Sequence, residues 1–300
     1  MPDHHISVCV CTYKRPELLK RLLGGLEKQE TGGLFALSIV VVDNDRERSA
    51  ETVVSEFAAS SIVPVLYRVE SRQNIALARN KAVENAEGDY VAFIDDDEFL
   101  TSTFWLLTMF NAIQTSGADG AVGSVRPHFE EGTPRWVVEG RFYDRPTYKT
   151  GMVIDWKKGR TNNTLLKKEA VLSAGEPFRP EFRTGEDQDL FRRLIEKGRV
   201  FIWCDGDMVY ETVPPVRWSR TFMLRRALLR GQTSLRHPTF GAREVLSSLI
   251  AVPVYTVALP FALAWGQGRF MLLLVKLFDH LGRLLALVGV NPVREAYVTE

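Results

Sequence analysis

Four consecutive acidic residues, Asp95, Asp96, Asp97 and Glu98, follow the apolar run 90–94. Like charges this close repel, so the segment requires a neutralising partner or a structural use. Three uses compete: a divalent-cation site, a helix N-cap supplied by Asp97 or Thr101, and a solvated turn. A cap employs one side chain and leaves the others without a role. Hard cations such as Mg2+ or Mn2+ bind through one or two carboxylates, with other oxygen ligands completing the shell. Asp95 and Asp97, in D-x-D spacing, suit that chemistry. A second D-x-D, Asp205-Gly206-Asp207, lies in "VFIWCDGDMVYE". That segment predicts strand, turn and strand, with Asp-Gly-Asp as ordinary turn chemistry.

The elements that must position the first cluster alternate. "ISVCVC" predicts a strand, and after Pro16 the residues Leu18, Leu19, Leu22, Leu23 and Leu26 fall at helical spacing. "ALSIVVVD", "VPVLYRV" and "DYVAFID" predict further strands, separated by helices through "SAETVVSEFAAS" and "NIALARNKAVENA". Repetition of strand and helix predicts an α/β fold with a mostly parallel central sheet and helices on both faces. In such sheets ligands sit beyond the carboxyl ends of the strands. Those ends carry Thr12, Tyr13, Asp43, Asn44, Asp95 and Asp97.

The chain of 300 residues, 45% hydrophobic, can bury a sizeable core, and 38 basic against 37 acidic residues give no general attraction to nucleic acid. Cys9, Cys11 and Cys204 form no even framework and read as packing residues of a reduced, cytosolic chain; the N-terminus lacks the pattern of a secretory signal. Residues 1–125 read as one half of a catalytic domain and 126–215 as its second half. From 212 to 243 stand seven arginines (217, 220, 225, 226, 230, 236 and 243) and no acidic residue, which reads as an Arg-rich linker. Residues 245–265 then run 21 positions without a charge, about the length that spans a hydrocarbon core. A following amphipathic helix places Lys276, Asp279, His280 and Arg283 on one stripe. Region 216–300 is therefore expected to associate with a membrane, either inserted or as a helical hairpin packed on the catalytic domain, with Pro253 and Pro260 kinking either form.

"SVCVCTYKRPELL", "VVVDND", "NIALARNKAVENAEGDYVAFIDDDE" and "GEDQDLFRRL", in this order, resemble a family 2 glycosyltransferase with the GT-A nucleotide-sugar-binding fold over about 6–215. The tail from 216 resembles that of bacterial exopolysaccharide glycosyltransferases of the succinoglycan type. The resemblance implies inverting transfer of a sugar from a nucleotide diphosphate, usually UDP, to an acceptor hydroxyl, with Mn2+ or Mg2+ as cofactor. Combined with the tail, it implies a lipid-linked saccharide acceptor at the cytoplasmic face of the bacterial inner membrane.

The resemblance also implies roles for individual residues. Thr12, Tyr13 and Arg15 would stand beside the nucleotide, Asp43 on the uracil or ribose, and Arg79 near the base or diphosphate, with Asn74 shaping that wall. Asp96 would lie near the ribose, with Asp97 as metal ligand and Asp95 supporting it. Arg79 also reads as an ordinary surface helix arginine. Asp187 would be the general base, while Glu186 or Asp187 could equally cap the helix beginning there, and Asp189 could pair with Arg192 or Arg193. Many relatives carry a histidine where this chain has Glu211, which either ligates the metal or pairs with the arginines that follow. Arg225 and Arg226 are candidates for diphosphate contact. Two rivals remain: a sugar nucleotidyltransferase, for which the first loop lacks the glycines that cradle a triphosphate, and a catalytically silent nucleotide-sugar-binding membrane scaffold.

Overall fold

A computed structural model describes residues 2–182, 184–236 and 240–293, the side chain of Arg236 excepted. The chain divides into two compact units: Met1–Pro127 with Arg145–Thr212, and His128–Asp144 with the chain from Val213 onward.

The first unit opens with the expected alternation: β1 (His4–Thr12), α1 (Pro16–Leu26), β2 (Phe35–Asp43), α2 (Glu51–Ser60), β3 (Val65–Val69), α3 (Ile75–Asn85) and β4 (Tyr90–Phe93). There follow β5 (Glu98–Leu100), α4 (Trp105–Ser116), β6 (Gly120–Phe129), β7 (Thr164–Lys167), α6 (Lys168–Leu172), α7 (Glu186–Glu196) and β8 (Phe201–Val213), with α5 (Arg135–Glu139) in the other unit. The strands form one sheet in the order β3-β2-β1-β4-β7-β6-β8-β5. Pairing is parallel from β3 through β4 and antiparallel for β4 with β7, β6 with β7, and β5 with β8, so the sheet is mixed.

Strand periodicity sends alternate side chains into two cores. Ile6, Val8, Val10, Ile39 and Val41 pack on one face with Leu19, Leu22, Leu23 and Leu26 of α1; Cys9, Val40, Val42, Val91 and Phe93 pack on the other with Ala76, Ala82 and Val83 of α3. Cys9 and Cys204 are buried and Cys11 is half-buried, all free thiols. Burial pushes the Cys11 thiol up to about 12, and it raises Cys9 and Cys204 as well, so all three serve packing.

The expected turn at Asp205-Gly206-Asp207 is absent: β8 runs unbroken through it. The hydroxyl of Ser124 and the Thr150 side chain engage Asp205, the latter accepting from its N–H at 2.9 Å, and Thr108 Oγ1 donates to Asp207 at 2.5 Å. Gly206 serves close approach, since a Cβ there would collide with Thr108. These side-chain bonds keep the Asp-Gly-Asp segment extended against its local turn preference.

In the second unit the Arg-rich stretch forms a helix, α8 (Arg220–Thr233), because Met223, Leu224 and Ala227 give it an apolar face and Ser219 caps it through the Phe222 N–H. The side chain of Arg236, one of the seven arginines, lies outside the described residues. Helix α9 (Ala242–Ala264) runs through Pro253 and Pro260 to Gly266, and α10 (Gln267–Leu287) follows.

Candidate active site

The acidic cluster sits on a tight turn beyond β4, closed by the Glu98 N–H donating to the Asp95 carbonyl at 3.0 Å. This turn spreads the four carboxyl groups to different partners. Asp96 accepts from Thr12 Oγ1 at 2.8 Å and from Arg15 at 3.1 Å, and the same guanidinium reaches Asp97 at 3.1 Å. Burial pushes Asp96 up, opposed by Arg15 and the Thr12 bond. Burial pulls Arg15 down, but Asp96 and Asp97 more than offset it, so its charge is held firmly. Neither Asp97 nor Thr101 caps α4, whose N-cap is Phe104 without a side-chain bond.

Glu98 is fully buried, accepting from the Asp95 N–H at 2.9 Å and from Asn162 Nδ2 at 3.1 Å. Burial pushes its carboxyl well above the usual range, and the neighbouring Asp95, Glu211 and Asp97 push it further. Glu211 stands opposite Glu98 in the β5–β8 ladder. Its carboxylate pairs with Arg145, which precedes it in the chain.

Arg79 is a buried connector and not a surface helix arginine. Its guanidinium bonds Glu186 and lies 3.3 Å from Asp95, joining the end of β4 to the start of α7. Its guanidinium carbon lies 5.8 Å from the Phe178 ring centroid. Burial raises Glu186 to about 7 despite the pull of Arg79. Glu186 therefore pairs rather than caps: the N-cap of α7 is Gly185, without a side-chain bond. Asp187 follows on the first turn and accepts its neighbour Gln188's N–H at 2.7 Å. Its carboxyl is raised, first by burial, while the fields of Arg79 and Arg160 lower it. Asp189 pairs with both suggested arginines, Arg192 at 3.0 Å and Arg193 at 2.8 Å.

The remaining expected residues are placed as follows. Asp43 is fully buried and accepts from the N–H groups of Asp45 (2.9 Å) and Ala50 (2.8 Å) and from Tyr67 (2.9 Å), which fixes the loop after β2. Asn74 caps α3 through the Ala76 N–H at 2.9 Å and donates to the Pro180 carbonyl at 2.9 Å. Tyr13 is half-buried beside Lys14. Arg225 and Arg226 lie on an exposed face of α8 in the second unit, whereas the other candidates belong to the first.

Sequence reasoning counted Glu98 in the acidic cluster without giving it a role, and missed Asn162 and Arg145 as members of this assembly. Only the "RTNNT" clustering hinted at Asn162; the pairings of Glu98 and Arg145 depend on sheet neighbours distant in sequence. Among the described residues, no group of three or more His, Cys, Asp or Glu side chains is arranged to hold a metal ion alone. The oxygen-rich donor set around Asp95 and Asp97 fits a hard cation whose other positions are filled by a ligand's oxygens.

Residues 7–167 match the family described as Glycosyl transferase family 2. The succinoglycan biosynthesis protein ExoM of Rhizobium meliloti (strain 1021) is 31% identical over 308 residues, covering 98% of this chain and 97% of that one. The mannosyltransferase PcManGT from Pyrobaculum calidifontis, solved with GDP-Man and Mn2+, superposes with TM-score 0.61 at 19% identity, covering 96% of this chain and 88% of that one. Staphylococcus aureus TarS with UDP-GlcNAc superposes with TM-score 0.55 at 16% identity, covering 96% and 93%. These superpositions establish the GT-A fold, and with the family match over half of the sequence the chain belongs to glycosyl transferase family 2, whose members transfer sugars from nucleotide sugars.

Proposed function

We propose that the chain is a divalent-metal-dependent, inverting hexosyltransferase that moves a sugar from a UDP-sugar to a hydroxyl of a lipid-linked saccharide in exopolysaccharide synthesis, at the cytoplasmic face of a bacterial inner membrane. The observation that carries the reading is the Asp95–Arg79–Glu186 connection, which brings the D-x-D turn and the Glu-Asp start of α7 into one site. The ExoM similarity supports the exopolysaccharide context, and the apolar, uncharged stretch of α9 from residue 245 onward supports the membrane.

In this reading Asp97, with Asp95 beside it, holds Mn2+ or Mg2+ through carboxylate oxygens. The ion, when bound, supplies positive charge that stabilises the departing diphosphate. Thr12 and Arg15 orient Asp96 and Asp97 toward the donor, and Tyr13, Asp43 and Asn74 shape the nucleotide wall. Asp187 accepts the proton of the acceptor hydroxyl as that oxygen attacks the anomeric carbon. The bond from that carbon to the diphosphate oxygen breaks on the opposite face, UDP carries away the electron pair, and configuration inverts. Arg79 fixes the distance between the two ends of the reaction through Asp95 and Glu186. The roles of Glu211 as a ligand, and of Arg225 and Arg226 on the diphosphate, belong to the same proposal.

Incubating full-length protein with a panel of UDP-sugars and a lipid-linked acceptor extract, with and without Mn2+ or Mg2+, tests it. Transfer that requires the metal and yields the opposite anomer is expected. Transfer unaffected by chelation, or product with retained configuration, overturns the proposal.

A further inference from the structure

Helices α8, α9 and α10 of the second unit have their polarity turned inside out. Three of the four polar-stripe residues of α10, Asp279, His280 and Arg283, point toward the two other helices, while Lys276 is exposed. Asp279 accepts from Arg230 of α8 at 2.8 Å. Arg283 reaches Ser234, just after α8, and Ser248 of α9, each at 3.0 Å, and the His280 ring lies 3.0 Å from the same Ser248 hydroxyl. Ser248 is fully buried. The outward side of α9, in contrast, is apolar: Leu246, Leu249, Ile250, Val254, Val257 and Phe261 recur at helical spacing and are each at least 56% exposed. Of the most apolar stretch of α9 only 11% is buried. A water-soluble bundle has the reverse arrangement, and a surface bathed in hydrocarbon has this one.

Length alone leaves the orientation open, since 23 helical residues reach about 35 Å. The neighbours of α10 decide it. The contacts of Arg220 with Gln267, Arg230 with Asp279 and Ser234 with Arg283 advance together, so α8 and α10 run parallel and side by side. They approach closely: a Cβ on Gly231 would collide with the Asp279 carbonyl, and one on Gly282 with the Leu228 carbonyl. Helix α9 returns antiparallel, with Ser248 beside His280 and Arg283. Arg225, exposed on α8, therefore comes level with the first half of α10 and the second half of α9, within the length of both helices. A hairpin crossing the bilayer would draw the exposed Arg225 guanidinium alongside its hydrocarbon-spanning length, where charge is costly. Lying flat, the same bundle buries the α9 face in acyl chains and leaves the exposed basic side chains of Arg225, Arg243 and Arg269 able to reach headgroups.

We propose that α9 lies in the plane of an anionic lipid surface, embedded in one leaflet by its Leu246-to-Phe261 face, and does not cross the bilayer. The inference rests on the membrane reading given above and adds its geometry. The test adds full-length protein from detergent to preformed vesicles of phosphatidylcholine with phosphatidylglycerol. The protein should float with these vesicles, and Ile250→Asp combined with Val254→Asp and Val257→Asp should lose most of the floated fraction while keeping a UDP-induced thermal shift. In Ala264→Cys, at the exposed hairpin tip, an added membrane-impermeant maleimide should label bound protein equally before and after detergent, once labelling of the parent chain is subtracted. A tip labelled only after detergent, with flotation intact, overturns the in-plane geometry and leaves the membrane reading standing. Absence of flotation overturns both; if the protein is then a dimer that the triple variant dissociates, the apolar face is an interface between copies.

Discussion

The chain contains two D-x-D segments of identical spacing, and the structure gives them opposite conformations. Asp95, Asp96 and Asp97 lie on a tight turn, where each carboxylate leaves the backbone in a different direction and meets Arg79, Thr12 or Arg15. Asp205 and Asp207 lie in a continuous strand, bonded to the hydroxyl groups of Ser124 and Thr108. Guanidinium partners favour the charged carboxylate, which can attract a cation and, through that cation, a diphosphate; hydroxyl partners suffice for carboxylates that only tie elements together. Spacing alone therefore does not identify a metal-binding pair. The backbone that presents it and the charge of its partners distinguish the two segments, and the proposed cation site is the one on the turn.

The largest way to sharpen this contrast is Asp97→Asn, which should lower transfer on the order of 10³-fold, the equivalent of several kcal/mol of lost transition-state charge stabilisation. Initial-rate kinetics with saturating Mn2+ measure it, and a variant with parental turnover breaks the contrast. Next comes Asp187→Asn, expected to keep UDP affinity while losing about 10²-fold or more in kcat, as general-base removal typically does. Equal losses in affinity and turnover would move Asp187 out of the base role.

The pH profile follows from the burial that raises Asp187. The base acts deprotonated, so kcat/KM should be full above its raised pKa and fall as pH drops through it. The acid limb is thus expected at higher pH than an unperturbed aspartate would give, and a limb at or below that position contradicts the assignment. Glu98→Ala removes the acceptor for the Asp95 N–H and Asn162, and should cost about 1–3 kcal/mol by denaturant titration, whereas Glu98→Gln retains an acceptor and should cost less. The smallest effect belongs to Asp205→Asn, whose exposed carboxylate should contribute about 1 kcal/mol or less to stability and leave metal dependence unchanged.

The elements through β4 were legible because each carries its own period: α1 buries Leu19, Leu22, Leu23 and Leu26, and β1 alternates Val8 and Val10 against Cys9. The strand ends bearing Thr12, Asp43 and Asp95 followed from that alternation. The antiparallel half of the sheet was not legible, since β7 inserts between β4 and β6 through contacts about 75 and about 45 residues apart that no local pattern encodes. The same non-locality hid the partners of Arg79, a named candidate whose helix resembles a surface helix until Glu186 from α7 closes over it. Gly206 misled for a different reason: its turn propensity is real, but Thr108 needs the space that only glycine leaves.

The most direct test of the central claim is the UDP-induced thermal shift of full-length protein, with and without Mn2+, compared between Asp97→Asn and Asp205→Asn. A ligand bound only by the folded chain raises its melting temperature according to affinity and concentration. The account predicts that Mn2+ enlarges the UDP shift in the parent and in Asp205→Asn, and that this enlargement disappears in Asp97→Asn. An Mn2+-enhanced shift that survives in Asp97→Asn and disappears in Asp205→Asn would contradict it, by placing the cation on the strand and not on the turn.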